Sequence, residues 1–345
     1  MTLSYGARVL MAAFALVTAA GTAAAQEYRF QLHHFLSPRA LAHTEMIAPW
    51  ARRVEAAADG RVAIEIFPAM SLGGKPPELV RQARDGVVDL IWTVNGYTPG
   101  LFPRTEVFEL PTVFTGDARA ANLAMHAMFE EHLAADYRGL EVMFLHAHAG
   151  QALQTVDREV RTPADAAGLA LRIPTRTGAW VIEALGANPV AMPVPDLPQA
   201  LARGVVDGAL IPFEIIPPLQ LQDRTGYQIE GEDGWRFGTT TFQLSMSRER
   251  WEALPADIQA AFRDASDAAW WGEVGDIWAA NDAAGLALAV EAGNRHVVLS
   301  EAETARFREV LAPVAARWIA DMDDEGVDGA ALVAEARARI AAHSR

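Results

Sequence analysis

Two arginines stand four residues apart in LALRIPTRTGAW, residues 169–180, and the chemistry they suggest is anion recognition. Leu169, Leu171 and Ile173 alternate with Ala170 and Arg172 until Pro174 breaks the pattern. That reads as a short strand whose end carries Arg172, followed by a loop that carries Arg176. A guanidinium offers a planar fork of donors that matches a carboxylate with paired hydrogen bonds. Lys75 is the single lysine of the sequence, so an anion site must rely on arginine. The segment LARGVVDGALIPFE, residues 201–214, answers the first stretch. A helix stops at Gly204, a strand opens on Val205-Val206, and apolar residues lead through Ile211 and Pro212 to Phe213 and Glu214.

Other chemistries are thinly supported. Asp89 and Asp207 each close a GVVD tetrapeptide, 118 positions apart, and a carboxylate pair of this kind could serve a hydrolase as acid and base. The commoner role of Asp at such a joint is to bond nearby backbone. His146 and His148 share a face of a strand and could hold a metal, but no HExxH or carboxylate cluster completes a site, and His33-His34 is read with the same reserve. Gly73-Gly74-Lys75 is not a phosphate loop, because Ala69 stands where the first glycine belongs and Pro76 follows the lysine. There is no GxSxG elbow, no GxGxxG fingerprint and no cysteine. Neither a metal nor a cofactor is expected.

The elements that must position these residues form an α/β pattern. The repeated joint, a helix ending in glycine followed by a Val-rich strand, suggests two lobes of similar construction facing a shared crevice. Residues 28–34 read as a first strand and 41–58 as a helix that Pro49 could bend. RVAIEIF, residues 61–67, alternates cleanly as a second strand. A helix is expected over 76–85, a Gly- and Pro-rich crossing loop with Asn95, Tyr97 and Arg104 over 94–111, a helix over 117–133, and a strand over LEVMFLHAHA. The first lobe would span 26–154, with about 237–270 returning to it. The second would span 155–236 with about 280–345. Between them the helical pattern runs from 255 to 292, roughly 55 Å at the usual rise. That length suits a strut touching both lobes, with Gly272 and Gly275 as bending points or as a break between two helices.

Composition narrows the compartment and the partners. An arginine at position 8, an apolar run over 9–20 and Ala23-Ala24-Ala25 fit a signal peptide cleaved after Ala25. The apolar run is shorter than the ~20 residues a spanning helix needs. Without cysteine there is no disulfide and no lipid-anchored cysteine, so a protein free in the periplasm is expected. The net charge of −15 argues against nucleic acid as a partner.

Over nearly its whole length the chain resembles the solute-binding proteins of TRAP (tripartite ATP-independent periplasmic) transporters, of the DctP type. The resemblance is carried by FPAMSLGG, the DGVVDL joint, GYTPGLFPRTEVFELP, GLALRIP, ALGANPVAMPVPDLPQAL and RGVVDG followed by IP. It implies a two-lobe periplasmic binding protein fold with crossing strands and a long hinge-spanning helix. It also implies an organic-acid ligand, delivery to small and large membrane permease subunits, and no catalysis. In that family an arginine in a stretch like GLKIRTP pairs with the ligand carboxylate, and Arg172 matches it. Arg176 is a candidate second contact.

One position departs from the family pattern. DGALIP stands where many members read DGQENP, which puts Ile211 in place of a polar side chain. An isoleucine cannot hydrogen-bond a second carboxylate or a hydroxyl, so an apolar or aromatic monocarboxylate or a 2-oxo acid fits better than a sugar acid or small dicarboxylate. Trp92, Trp180 and Phe213 would supply apolar walls, with Asn95 and Glu214 as further polar contacts. A carboxylate-pair hydrolase and a ligand-sensing subunit for a membrane receptor are the competing readings.

Overall fold

The structure is a computed structural model and describes residues 26–344; the expected signal peptide and its cleavage after Ala25 lie outside the described residues. The strands are β1 (Tyr28–His34), β2 (Val62–Phe67), β3 (Leu90–Val94), β4 (Leu140–Ala147), β5 (Ala152–Thr155), β6 (Ala170–Ile173), β7 (Asn188–Ala191), β8 (Gly208–Ile211), β9 (Tyr227–Glu230), β10 (Thr241–Ser247) and β11 (Arg295–Val298), with Val and Ile, β-branched residues that favour strands, recurring in β2 and β3. They sort into two sheets, one per lobe. The first has the order β2-β1-β3-β10-β4 and the second β11-β9-β5-β8-β6-β7. In each, a parallel core meets an antiparallel strand: β10 runs against β3 and β4, and β5 runs against β8 and β9.

The two antiparallel strands exist because the chain crosses between the lobes. The outward crossing joins β4 to β5 through residues 148–151, and the return joins β9 to β10 through residues 231–240. The crossings lie side by side. Gln151 N–H donates to Gly238 O at 2.7 Å, and Phe237 N–H donates to Gln151 O at 2.9 Å. The second sheet therefore begins at Ala152, earlier than the boundary expected at 154/155.

Each GVVD joint stitches its own sheet. Asp89 accepts from Gln31 N–H of β1 at 2.8 Å, and Asp207 accepts from Ala170 N–H of β6 at 2.8 Å. The repeat is thus a repeated structural device. Both carboxylates sit where their strands begin, while Trp92 lies at the middle of β3 and Ile211 at the far end of β8.

The strut differs from the expected 255–292 helix. A helix over Ala256–Ala265 ends at Ser266, and a second one runs over Ala268–Glu291. The break comes from an N-cap, since the Asp267 side chain accepts from Trp270 N–H and starts the new helix. Gly272 and Gly275 are not bends. A Cβ at Gly275 would lie 2.4 Å from Arg119 Cα, so this glycine lets the long helix approach the Ala118–Met128 helix of the first lobe. At its other end Gly285 does the same against the second lobe, where a Cβ would fall 2.0 Å from Phe213 O.

The carboxy-terminal helices also depart from expectation. The helix Glu301–Asp324 starts beside the second lobe, where Thr304 Oγ1 accepts from Glu232 N–H, and ends against the first, where Trp318 Nε1 donates to Pro103 O. The final helix Gly329–His343 packs on the Ala118–Met128 helix of the first lobe, with Arg337 donating to Thr112 O. Among the described residues no helix is long and apolar enough to cross a membrane.

Candidate functional site

A cavity lies between the lobes, lined by side chains from both. Strand β6 delivers Arg172 into it as the alternation required, with the neighbouring Leu171 and Ile173 held in the second lobe's core. Arg172 is only 2% exposed. Its Nε donates to Met192 O at 3.0 Å and its Nη2 lies 3.5 Å from Tyr97 Oη, while Nη1 has no partner among the described residues. Burial pushes its pKa below the ordinary guanidinium value, partly offset by the Tyr97 oxygen, yet a guanidinium stays charged in a protein. No salt bridge to Arg172 occurs among the described residues, so a desolvated cation faces the cavity unpaired.

Tyr97 complements it from the first lobe. Its hydroxyl oxygen accepts from Val194 N–H at 2.9 Å, and burial raises its pKa further, so it keeps its proton. Both neighbours of that oxygen are donors. The hydroxyl hydrogen is left over and can serve the second oxygen of a carboxylate held by Arg172.

His148 belongs to the outward crossing. Its Nδ1 accepts from Gly150 N–H at 3.0 Å, which places the ring proton on Nε2. Burial first, then the charges of neighbouring groups including Arg236 and Arg172, holds its pKa well below the ordinary value. It therefore presents a neutral N–H donor.

The remaining wall is aromatic. Phe35 stacks on Trp92 at 4.9 Å and 12°, Trp92 on Phe242 at 5.3 Å and 3°, and Trp278 of the long helix leans on Phe242 at 5.4 Å. All four line the cavity. Ile211 and Pro212 close the second-lobe side, at the end of β8.

Of the eight residues singled out from sequence, Arg172, Trp92, Ile211 and Glu214 line this cavity and the other four do not. Arg176 is not in a loop. Thr175 N-caps the helix Arg176–Ala184, so Arg176 sits in its first turn and bridges to Glu106 of the first lobe at 2.6 Å and to Asp321 at 3.1 Å. Trp180 has the Arg176 and Arg317 guanidinium groups over its ring, at 5.0 and 4.5 Å from the centroid. Phe213 is covered by the Arg236 guanidinium at 4.4 Å. Asn95 spends its side chain on Tyr137, Thr241 and Gln243, bracing the turn that holds Tyr97. Neither Asp89 nor Asp207 lines the cavity, so the carboxylate-pair arrangement is not formed there.

Sequence reasoning missed Gln151 and Thr240, weighed His148 only as a metal ligand, and did not commit to Tyr97; His148, Gln151 and Thr240 all lie in the crossings. As for metals, His146 Nε2 accepts from Trp92 Nε1 at 2.9 Å, His33 bonds Gln82, and His34 bonds His43. Among the described residues no cluster of three or more His, Cys, Asp or Glu could hold an ion.

Two further carboxyls lie where the lobes meet. Thr177 donates to Glu109 at 2.6 Å across the lobes, beside the Arg176–Glu106 pair. Burial raises Glu106 to about 7, with Glu109 adding to the rise and the Arg176 guanidinium opposing it. Glu109 itself is pushed up by burial.

Two lobes, paired crossing segments and a charged group buried between the lobes define a two-lobed solute receptor. Residues 32–321 match the DctP family, bacterial extracellular solute-binding protein, family 7, and the chain belongs to that family of TRAP receptors. It is 34% identical to a marine metagenome TRAP solute-binding protein from an unidentified microbe, specific for aromatic acid ligands and solved with metahydroxyphenylacetate. That match covers 92% of this chain and 100% of the other, with a TM-score of 0.89. A TRAP solute-binding protein from Rhodoferax ferrireducens with copurified benzoate is 36% identical over 91% of this chain and 98% of its own, with a TM-score of 0.88. The ectoine/5-hydroxyectoine-binding periplasmic protein UehA of Ruegeria pomeroyi is 26% identical over 99% of this chain and 98% of its own. These relatives are solute-binding receptors, and the family is periplasmic.

Proposed function

We propose that the protein captures an aromatic monocarboxylate in the interlobe cavity, pairing the carboxylate with Arg172, and delivers it to small and large TRAP membrane subunits. The observation that carries this reading is the buried, unpaired Arg172 guanidinium facing a wall of stacked rings. A buried cation is costly unless paired, so a cavity built around one favours an anion. Tyr97 and His148 add neutral donors suited to carboxylate oxygens, and the Phe35–Trp92–Phe242 stack suits a flat ring by offset and edge contacts. The benzoate and metahydroxyphenylacetate found in two similar receptors support the same class.

The test is titration of the protein from Gln26 onward with benzoate, phenylacetate, mandelate, succinate and glucuronate, followed by tryptophan fluorescence. Because Trp92 and Trp278 line the cavity, an aromatic acid is expected to change the emission with one-to-one stoichiometry and to be recovered chemically unchanged. Response to succinate or glucuronate with none to the aromatic acids would refute the proposal.

A further inference from the structure

The cavity holds two polar groups that a simple aryl carboxylate would leave idle. Glu214 is 5% exposed and its Oε2 has no hydrogen-bond partner; Gln151 is 2% exposed and its Oε1 has none either. Both residues line the cavity. Buried polar atoms are nearly always paired, and each unpaired one carries a substantial desolvation penalty.

Gln151 is set apart from the arginine by the sheet, and Glu214 follows three residues after the end of β8. Gln151 immediately precedes β5 and Arg172 lies on β6, with β8 between the two strands. Two strand spacings put their backbones roughly 10 Å apart. Ile211 stands at the end of the intervening strand, so the space between the two polar ends is floored by an apolar side chain.

The two groups differ in what they offer. Gln151 Nε2 donates to Thr240 Oγ1 at 2.6 Å, which leaves Oε1 as a pure acceptor. Burial, reinforced by the charge of Asp282, raises the Glu214 carboxyl well above the ordinary range and favours the neutral acid, which has a proton to donate. Asp282 also fixes the local backbone, accepting from the N–H groups of Phe213 at 2.7 Å and Glu214 at 3.3 Å while bonding Arg236 at 2.8 Å. A hydroxyl is both donor and acceptor, and matches such a pair.

We propose that Glu214 and Gln151 form a second subsite that receives a hydroxyl on the ligand ring, remote from the carboxylate. The preferred ligand class is then a hydroxylated aryl carboxylate. This rests on the reading of Arg172 as the carboxylate anchor and adds a specificity determinant to it.

The experiment is calorimetric titration of the protein from Gln26 onward, and of Glu214→Leu and Glu214→Gln, with benzoate, 3-hydroxybenzoate, 4-hydroxybenzoate, phenylacetate and 3-hydroxyphenylacetate. In wild type at least one hydroxylated acid should bind roughly tenfold or more tightly than its unsubstituted parent, the expected consequence of satisfying buried polar groups. Glu214→Leu should collapse that ratio to near one. Glu214→Gln, neutral with a donor and an acceptor of its own, should retain most of it. Equal affinity of wild type for every parent and its hydroxylated derivatives would overturn the subsite while leaving the Arg172 reading intact. A ratio unchanged in Glu214→Leu would overturn the assignment to Glu214. Absence of binding by all five acids would instead reject the aromatic-acid function on which the subsite depends.

Discussion

Replacing Arg172 with Met keeps the volume of the aliphatic stem and removes the fork. The magnitude follows from the geometry: the guanidinium is 2% exposed, is anchored by Met192 O at 3.0 Å and has no carboxylate partner of its own in the described chain. A ligand carboxylate entering the variant would be buried with only Tyr97 and His148 to meet it. Breaking a buried pair by removing one partner costs about 3–5 kcal/mol, or roughly two to four decades in Kd. Calorimetry with benzoate reads the loss directly. Benzamide supplies the control, because it has the same ring and shape without the charge. Wild type should prefer benzoate by a wide margin, and in Arg172→Met that margin should shrink toward zero while benzamide binding changes little. If Arg172→Met bound benzoate as tightly as wild type, or kept the full preference over benzamide, the anchor would lie elsewhere and the argument from an unpaired buried cation would fail.

The other predictions concern the frame around the cavity. Glu106 has a folded pKa of about 7 against an ordinary value of 4.5, so the folded state holds its proton more tightly. The stability this contributes is present below about pH 4.5 and is lost as pH rises toward and through 7. Glu106→Gln should therefore lose less stability than wild type between pH 5 and pH 8 in paired thermal melts; identical pH profiles would show that Glu106 titrates normally. Gly285→Ala places a Cβ against Phe213 O and should cost about 1–3 kcal/mol in urea unfolding by forcing the long helix away from the second lobe. Full wild-type stability would mean that this contact is looser than it stands.

How much of this was legible in the sequence depended on how local the signal was. Arg172 could be placed because strand alternation and Pro174 fix both its face and its position at a sheet end. Arg176 could not be assigned to the cavity or away from it without noticing that Thr175 caps a helix, after which the residue belongs to a helix start. The break at Ser266-Asp267 was masked by apolar periodicity that continues on both sides, although Asp267 is itself a capping signal. Gly272 and Gly275 look the same in sequence whether they bend a helix or admit a neighbour, and only the opposing Arg119 decides. The place of His148, Gln151 and Thr240 in the cavity escaped for a different reason. They come from two crossings some ninety residues apart, and nothing in either segment alone reveals that they meet. Trp180 and Phe213 are as aromatic as Trp92, but each is stacked under arginine away from the cavity.

The last helix has a bearing on when the protein can fold at all. The first sheet lacks an inner strand until residues 241–247 are available, and the outer face of the Ala118–Met128 helix stays bare until Gly329–His343 arrives. The amino-terminal lobe therefore depends for its completion on residues far along the sequence. In a family whose members are periplasmic, such an architecture would favour a chain that stays unfolded until its later residues are available.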